Sequence, residues 1–219
     1  MNELIGVEDS YQAPDRLLTI LYDRHQREEL FLEFLELFDY DVTYDWFHTY
    51  FQDEHAQRKK KKQDFTPDSV GELVARLTEG NEDEGTRYDP CSGTGGLTIK
   101  KWQEDRMKHT PFDYRPSFYL YHCEELSSRA IPFLLFNLLI RGMNAVVVHC
   151  DVLSRKSDGA FFIQNDRDDH FQFSSLNLLP YKEEVERFFG VKWATKRYKT
   201  IVETKEIPAH LSHFVNSVV

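Results

Sequence analysis

The chain has 219 residues, 41% hydrophobic and 29% charged, the balance of a globular protein and not of a disordered one. Its formal net charge of −10 argues against a free-standing binder of the nucleic-acid backbone, which needs a basic face. Three cysteines, Cys91, Cys123 and Cys150, are too few and too spread for a disulfide framework, which points to a reducing compartment.

The opening MNELIGVEDS carries acids where a secretory signal needs positive charge and an apolar run. The longest near-continuous apolar stretch, 131–140, is too short to span a bilayer and contains Pro132 and Asn137. A cytoplasmic protein without membrane contact is expected. Residues 14–57 read as helical, because Leu17, Leu18 and Leu21, then Leu30, Phe31, Phe34, Leu35 and Phe38, recur at three- and four-residue steps. Trp46, Phe47, Tyr50 and Phe51 continue on similar spacing, a stripe that predicts helix packing in preference to ligand binding. Next comes a block of concentrated positive charge, Arg58, Lys59, Lys60, Lys61 and Lys62. It reads as a solvated linker and as the candidate DNA-phosphate contact. The expected organisation is a helical segment over 1–62, ending in this linker, then an α/β domain over 63–219.

"TPDSVGELVARL" has the marks of a helix start, with Thr66 as cap and Pro67 in the first turn. A strand should run into Tyr88-Asp89, and a helix should follow from Gly96 to about Met107. "SFYLYHCEE" reads as a strand, "SSRAIPFLLFNLLIRG" as a helix ending at Gly142, and "NAVVVHCD" as a strand. "GAFFIQND" and "FQFSSLNL" are strand-like, "KEEVERFFG" is a short helix, and "YKTIVET" is a further strand. Strands alternating with helices predict a mostly parallel sheet covered on both faces.

The chemistry-bearing stretch is "RYDPCSGTGGLT", between the first strand and the helix after it. Glycines crowded at a strand end let the backbone turn sharply and approach a ligand. A phosphate loop would continue with Lys and Ser or Thr, but Gly96 is followed by Leu97-Thr98-Ile99; Gly93-Thr94-Gly95-Gly96 does not fit a dinucleotide fingerprint either. A carboxylate at the strand end, Asp89, repels a pyrophosphate and attracts a cation. Charge therefore favours S-adenosylmethionine, which carries a sulfonium and an ammonium and no phosphate. No CxxC or paired histidine accompanies the cysteines, and the isolated His210–His213 pair reads as surface or packing, so no metal site is expected.

These residues resemble the adenine-N6 DNA methyltransferases, and specifically the modification subunits of type I restriction systems. "DPCSGTGGL" is similar to their cofactor loop, with Cys-Ser in place of x-Cys. "QDFTP" is similar to their second cofactor segment, and "CDVL" to their Gly-Asp-x-Leu. "YHCEEL" and "FNLLIRG" resemble the strand-end acid and the Asn-Leu helix that follow the loop. The resemblance implies a Rossmann-like, S-adenosylmethionine-dependent core. Its cofactor contacts would be Phe65, Thr66, Asp89, Pro90, Gly93, Thr94, Gly95, Gly96, Glu125, Asp151 and Val152. Glu125, with Glu124 as fallback, would bond the ribose, and Asp151 the adenine edge.

Family members methylate adenine with Asn or Asp, then Pro-Pro and an aromatic, which align the amino nitrogen of a flipped base. The matching "FQFSSLNLLPY" aligns Asn177 with the first residue but has Leu178 and Leu179 for the prolines and Pro180 for the aromatic. A shift by one supplies Pro180 and Tyr181 but puts Leu178 at the hydrogen-bonding position. Two leucines do not stiffen the loop as prolines do, so Asn177, Pro180 and Tyr181 form a degraded catalytic set and methyl transfer is expected to be weak or absent. About forty residues follow, so the sheet is expected to be shortened, without a target-recognition domain. The expected functions are a methyltransferase-family protein that binds the methyl donor, or an inactive pseudo-methyltransferase acting through a protein partner. The latter would suit a compact virus-encoded relative directed at a host restriction or defence complex. A protein partner or a homo-oligomer is expected, with DNA bound weakly or through that partner.

Overall fold

The computed structural model describes residues 1–51 and 85–216. Phe65, Thr66, the basic block Arg58–Lys62 and the expected domain boundary after residue 62 lie outside the described residues. The amino-terminal layer comprises α1 (Asn2–Ile5), α2 (Ala13–Leu21) and α3 (Arg24–Leu37). Asp23 starts α3 by accepting the Gln26 N–H at 3.1 Å, as an N-cap should. The helical run expected over 14–57 is interrupted. Asp39 and Tyr40 sit at φ 50° and 59°, a left-handed conformation that no helix continues through. Helix resumes only at residue 48.

The α/β part follows the expected alternation. Among the described residues its elements are β1 (Gly85–Asp89), α4 (Gly96–Met107), β2 (Tyr119–Glu125), α5 (Ile131–Ile140) and β3 (Ala145–Cys150). They continue with β4 (Lys156–Gln164), β5 (Ser175–Leu178), α6 (Glu183–Phe189), β6 (Lys192–Trp193) and a terminal α7 (Ser212–Asn216). Three pairings are parallel (β1 with β2, β2 with β3, β4 with β6), and β4 runs antiparallel to both β3 and β5. The sheet is thus mostly parallel, and its main path runs in chain order from β1 to β5.

Alternation along the strands separates two faces. Tyr119, Tyr121, Cys123, Ala145, Val147, Phe161 and Ile163 enter the main core with α5 and the amino-terminal helices. Val146, Val148, Cys150 and Ala160 form a smaller core with Phe189 and Val191 on the opposite face. That face also holds a cleft of about 290 Å³, lined among others by Leu120, Val146, Phe162, Phe188 and Leu211.

Every residue of α5 is buried. One side meets the sheet, and the other meets the aromatic stripe, with Phe136 4.8 Å from Phe31 and Phe34 and Phe133 4.7 Å from Phe47. The helix stops before the expected Gly142, which takes φ 63° where a Cβ would lie 2.4 Å from the Gln172 carbonyl oxygen. Only glycine fits there. The expected strand "YKTIVET" does not form. Val202 makes a single bridge to Asn177, and Glu203 turns inward to form a bidentate ion pair with buried Arg27 while accepting the Leu176 N–H at 2.8 Å. The side-chain bonds thus tie the tail to α3 and β5 without a strand ladder.

Glu203→Ala should strand the Arg27 charge and cost about 3–5 kcal/mol. A thermal melt should fall by on the order of 10 °C. Glu203→Gln, which keeps an acceptor for Leu176, should lose less.

Candidate functional site

The carboxyl ends of β1 and β2 and the loop after β1 form one surface. Asp89 closes β1 and Glu125 closes β2, its immediate neighbour. Between Asp89 and α4 the chain turns with Gly93 at φ 56° and Gly95 at φ 102°. At Gly95 a Cβ would also come within 3.0 Å of Leu134 Cδ1, so close packing as well as torsion demands glycine. The turn is tied to the sheet: Ser92 N donates to Glu124 O and Ser92 Oγ to Asp89 O, both at 3.0 Å. Helix α4 begins at Gly96 with no side-chain cap, so its first N–H groups carry the positive end of the helix dipole into the loop.

Both strand-end carboxylates are desolvated. Asp89 accepts from Thr98 Oγ1 at 2.8 Å and Cys91 N at 3.3 Å, and Glu125 from Gly93 N at 2.8 Å and Ser127 N at 2.6 Å. Burial raises both pKa values above the ordinary carboxylate range, against these hydrogen bonds, and the nearby Asp89 charge adds to the rise at Glu125. Among the described residues no lysine or arginine pairs with either. A half-buried and a buried carboxylate, without a cationic partner among the described residues and beside an uncapped helix start, suit a ligand that carries positive charge and an anionic group together.

The neighbouring acids are engaged elsewhere. Glu124 faces the opposite side of the sheet, where Arg155 donates to both its oxygens at 2.6 and 2.9 Å. Of the two candidate acids, Glu125 is therefore the one on the loop. Asp151 follows β3 at the same edge, but its carboxylate accepts from Ser154 Oγ, Leu153 N and Ser154 N, which stabilise its charged form and lower its pKa. Val152 lies in that turn, and Pro90 is exposed beside the loop. Thr94 is 1% exposed and its hydroxyl points inward to Asp45. Cys91 is exposed, while Cys123 and Cys150 are buried on opposite faces, so the cysteines do not gather.

The degraded catalytic set is not brought to this surface. Asn177 lies in β5, four strands from β1 along the sheet path, or roughly 19 Å at the usual strand spacing. Its Oδ1 accepts from Glu203 N at 2.9 Å and Thr204 N at 3.0 Å, and its Nδ2 donates to Thr204 Oγ1 at 2.8 Å. Pro180 is exposed, and the Tyr181 hydroxyl donates to Asp158 O at 2.9 Å, with its ring against Trp193. The residues that sequence reasoning did not place at the site stand behind the loop: Asp45, which it passed over, and Asn137 and Arg141, which it read only as part of the "FNLLIRG" helix. A lone acid within the aromatic run "TYDWFHTYF" was the available signal for Asp45.

A glycine turn leading from a parallel strand into a helix, with a carboxylate at each adjacent strand end, defines a Rossmann-like methyltransferase core. The family profile of N-6 DNA Methylase matches residues 40–177, and the chain belongs to this family of adenine-N6 DNA methyltransferases. Members generally use S-adenosylmethionine. No curated protein and no solved structure matched the chain. No described helix is long and apolar enough to cross a membrane.

Because its pKa is raised in the fold, the Asp89 charge opposes folding at neutral pH, and this cost vanishes as pH falls through the folded value toward the unfolded one. Asp89→Asn should therefore melt at higher temperature than wild type at pH 7. The gap between the two melting temperatures should close on acidification.

Proposed function

We propose that the chain binds S-adenosylmethionine at the glycine loop and does not by itself transfer the methyl group to adenine. Asp89 and Glu125 supply the negative charge that a sulfonium and ammonium require. The uncapped start of α4 offers N–H groups to the donor's carboxylate. By resemblance, Glu125 also bonds the ribose and Asp151 the adenine edge. Phe65 and Thr66 would add the second cofactor segment. When bound, the donor supplies an electrophilic methyl group.

The single observation that carries the negative half is the use already made of Asn177. Methylating an exocyclic amine needs an acceptor that aligns the nitrogen with the methyl group, and a misplacement of about an ångström can cost on the order of a hundredfold in rate. Asn177 Oδ1 is already occupied by two backbone N–H groups, four strands from the loop. A donor-binding fold without the chemistry acts through a protein partner, and a host restriction or defence complex is the target that the family suggests. The second reading is an adenine-N6 methyltransferase of type I modification-subunit type, with a partner supplying DNA specificity. In its favour, the family match spans the loop through Asn177.

Calorimetry with S-adenosylmethionine should give binding, weakened at least about tenfold in Asp89→Ala, the size of one charge-assisted hydrogen bond. Tritiated methyl transfer to mixed-sequence DNA should give no label. Label that disappears in Asn177→Ala would establish the second reading instead.

A further inference from the structure

The buried carboxylate of Asp45 is not on the loop's outer surface, yet it holds the loop from behind. It lies in the connection after α3, is 9% exposed, and accepts from the Thr94 hydroxyl through Oδ2. Its Oδ1 accepts from Asn137 Nδ2 at 2.8 Å and from Phe47 N at 2.9 Å. The same Asn137 amide donates to the Thr94 carbonyl at 2.8 Å, so side chain and main chain of Thr94 are both held. Behind them Arg141, 4% exposed, donates to Asn137 O, Asn137 Oδ1, Val42 O and Tyr44 O at 2.6–2.9 Å. These four bonds go to uncharged oxygens, so Asp45 balances the Arg141 charge across the Asn137 bridge, without contact.

Thr94 stands between Gly93 and Gly95, both at positive φ. Glycines resist few alternative torsions, so a loop built on them takes its shape from outside contacts. Those contacts come from two directions. Glu125 and the β2 backbone hold the Ser92–Gly93 side, and Asp45 with Asn137 holds the Thr94 side.

We propose that Asp45 is a positioning residue for the donor loop. Its hydrogen bond to Thr94, with that of Asn137, fixes the Gly93–Gly96 main chain, so that the amino-terminal helical layer sets the shape of the surface that receives the donor. The inference rests on the donor-binding reading, but the clamp itself is measurable without a ligand.

Asp45→Ala removes the acceptor of three donors at once and can unfold the layer, so the deciding variant is Thr94→Val, which loses only the hydroxyl. Hydrogen exchange by mass spectrometry should show the amides of Ser92, Gly93 and Gly95 exchanging about tenfold faster than in wild type, the loss expected for one hydrogen bond to a charged group. The β3 amides should be unchanged, and Thr94→Ser should restore the loop's protection. Calorimetry with S-adenosylmethionine should show Kd raised about tenfold in Thr94→Val. A wild-type chain that binds no donor defeats the donor reading alone, and exchange then decides the clamp. Loop exchange indistinguishable from wild type, or loop and β3 amides accelerating together, overturns the proposal.

Discussion

Burying α5 is the constraint on which the rest of the structure depends. Every residue of this helix is buried, so one layer of sheet cannot shield it from water. The second layer is the amino-terminal helices, whose Phe31, Phe34 and Phe47 pack on Phe133 and Phe136. A fully buried Phe contributes about 1.5–3 kcal/mol, so this aromatic seam is large against the 5–15 kcal/mol net stability of an ordinary domain. The amino-terminal layer and the sheet therefore share one core. The seam also carries Asp45 to the back of the glycine loop.

The same architecture divides the ingredients of the chemistry. Glycine loop, Asp89 and Glu125 meet because β1 and β2 are adjacent and parallel, so their carboxyl ends open on one edge. Asn177 points elsewhere because β4 doubles back beside β3 and carries β5 to the far flank. In open sheets a ligand crevice forms where strand order reverses. The described path from β1 to β5 runs without reversal. The features proposed to hold the donor survive such a topology, because they need only neighbouring strand ends. A base-aligning residue needs a second wall opposite the loop, and β5 is not there.

Desolvation of the carboxylates at the loop raises their pKa values, and so their charged forms oppose folding. Burial raises the pKa of Asp45 in the same way, with Arg141 as its counter-charge. These groups are costly to keep in an apolar setting, and each is hydrogen-bonded to the loop or to its supports. Stability and the preorganisation of the proposed binding surface pull in opposite directions at this edge of the sheet.

The periodicity and punctuation of the chain determined most of its local structure. Helix α4 begins and ends at Gly96 and Met107 as expected, and β1, β2 and β3 fall within the runs that announced them, because glycine turns and runs of tyrosine or valine act over a few residues. Asp89, Glu125 and the loop were legible for the same reason, since strand-end position is a local property. Tertiary contacts decided the rest. Strand pairing, set by cores far apart in sequence, sent β5 away from the loop. The inward turn of Glu203 to Arg27 replaced a strand ladder in the tail. Asp45 and Thr94, 49 positions apart, meet only because α5 had to be covered on both sides, a burial requirement that no local pattern records.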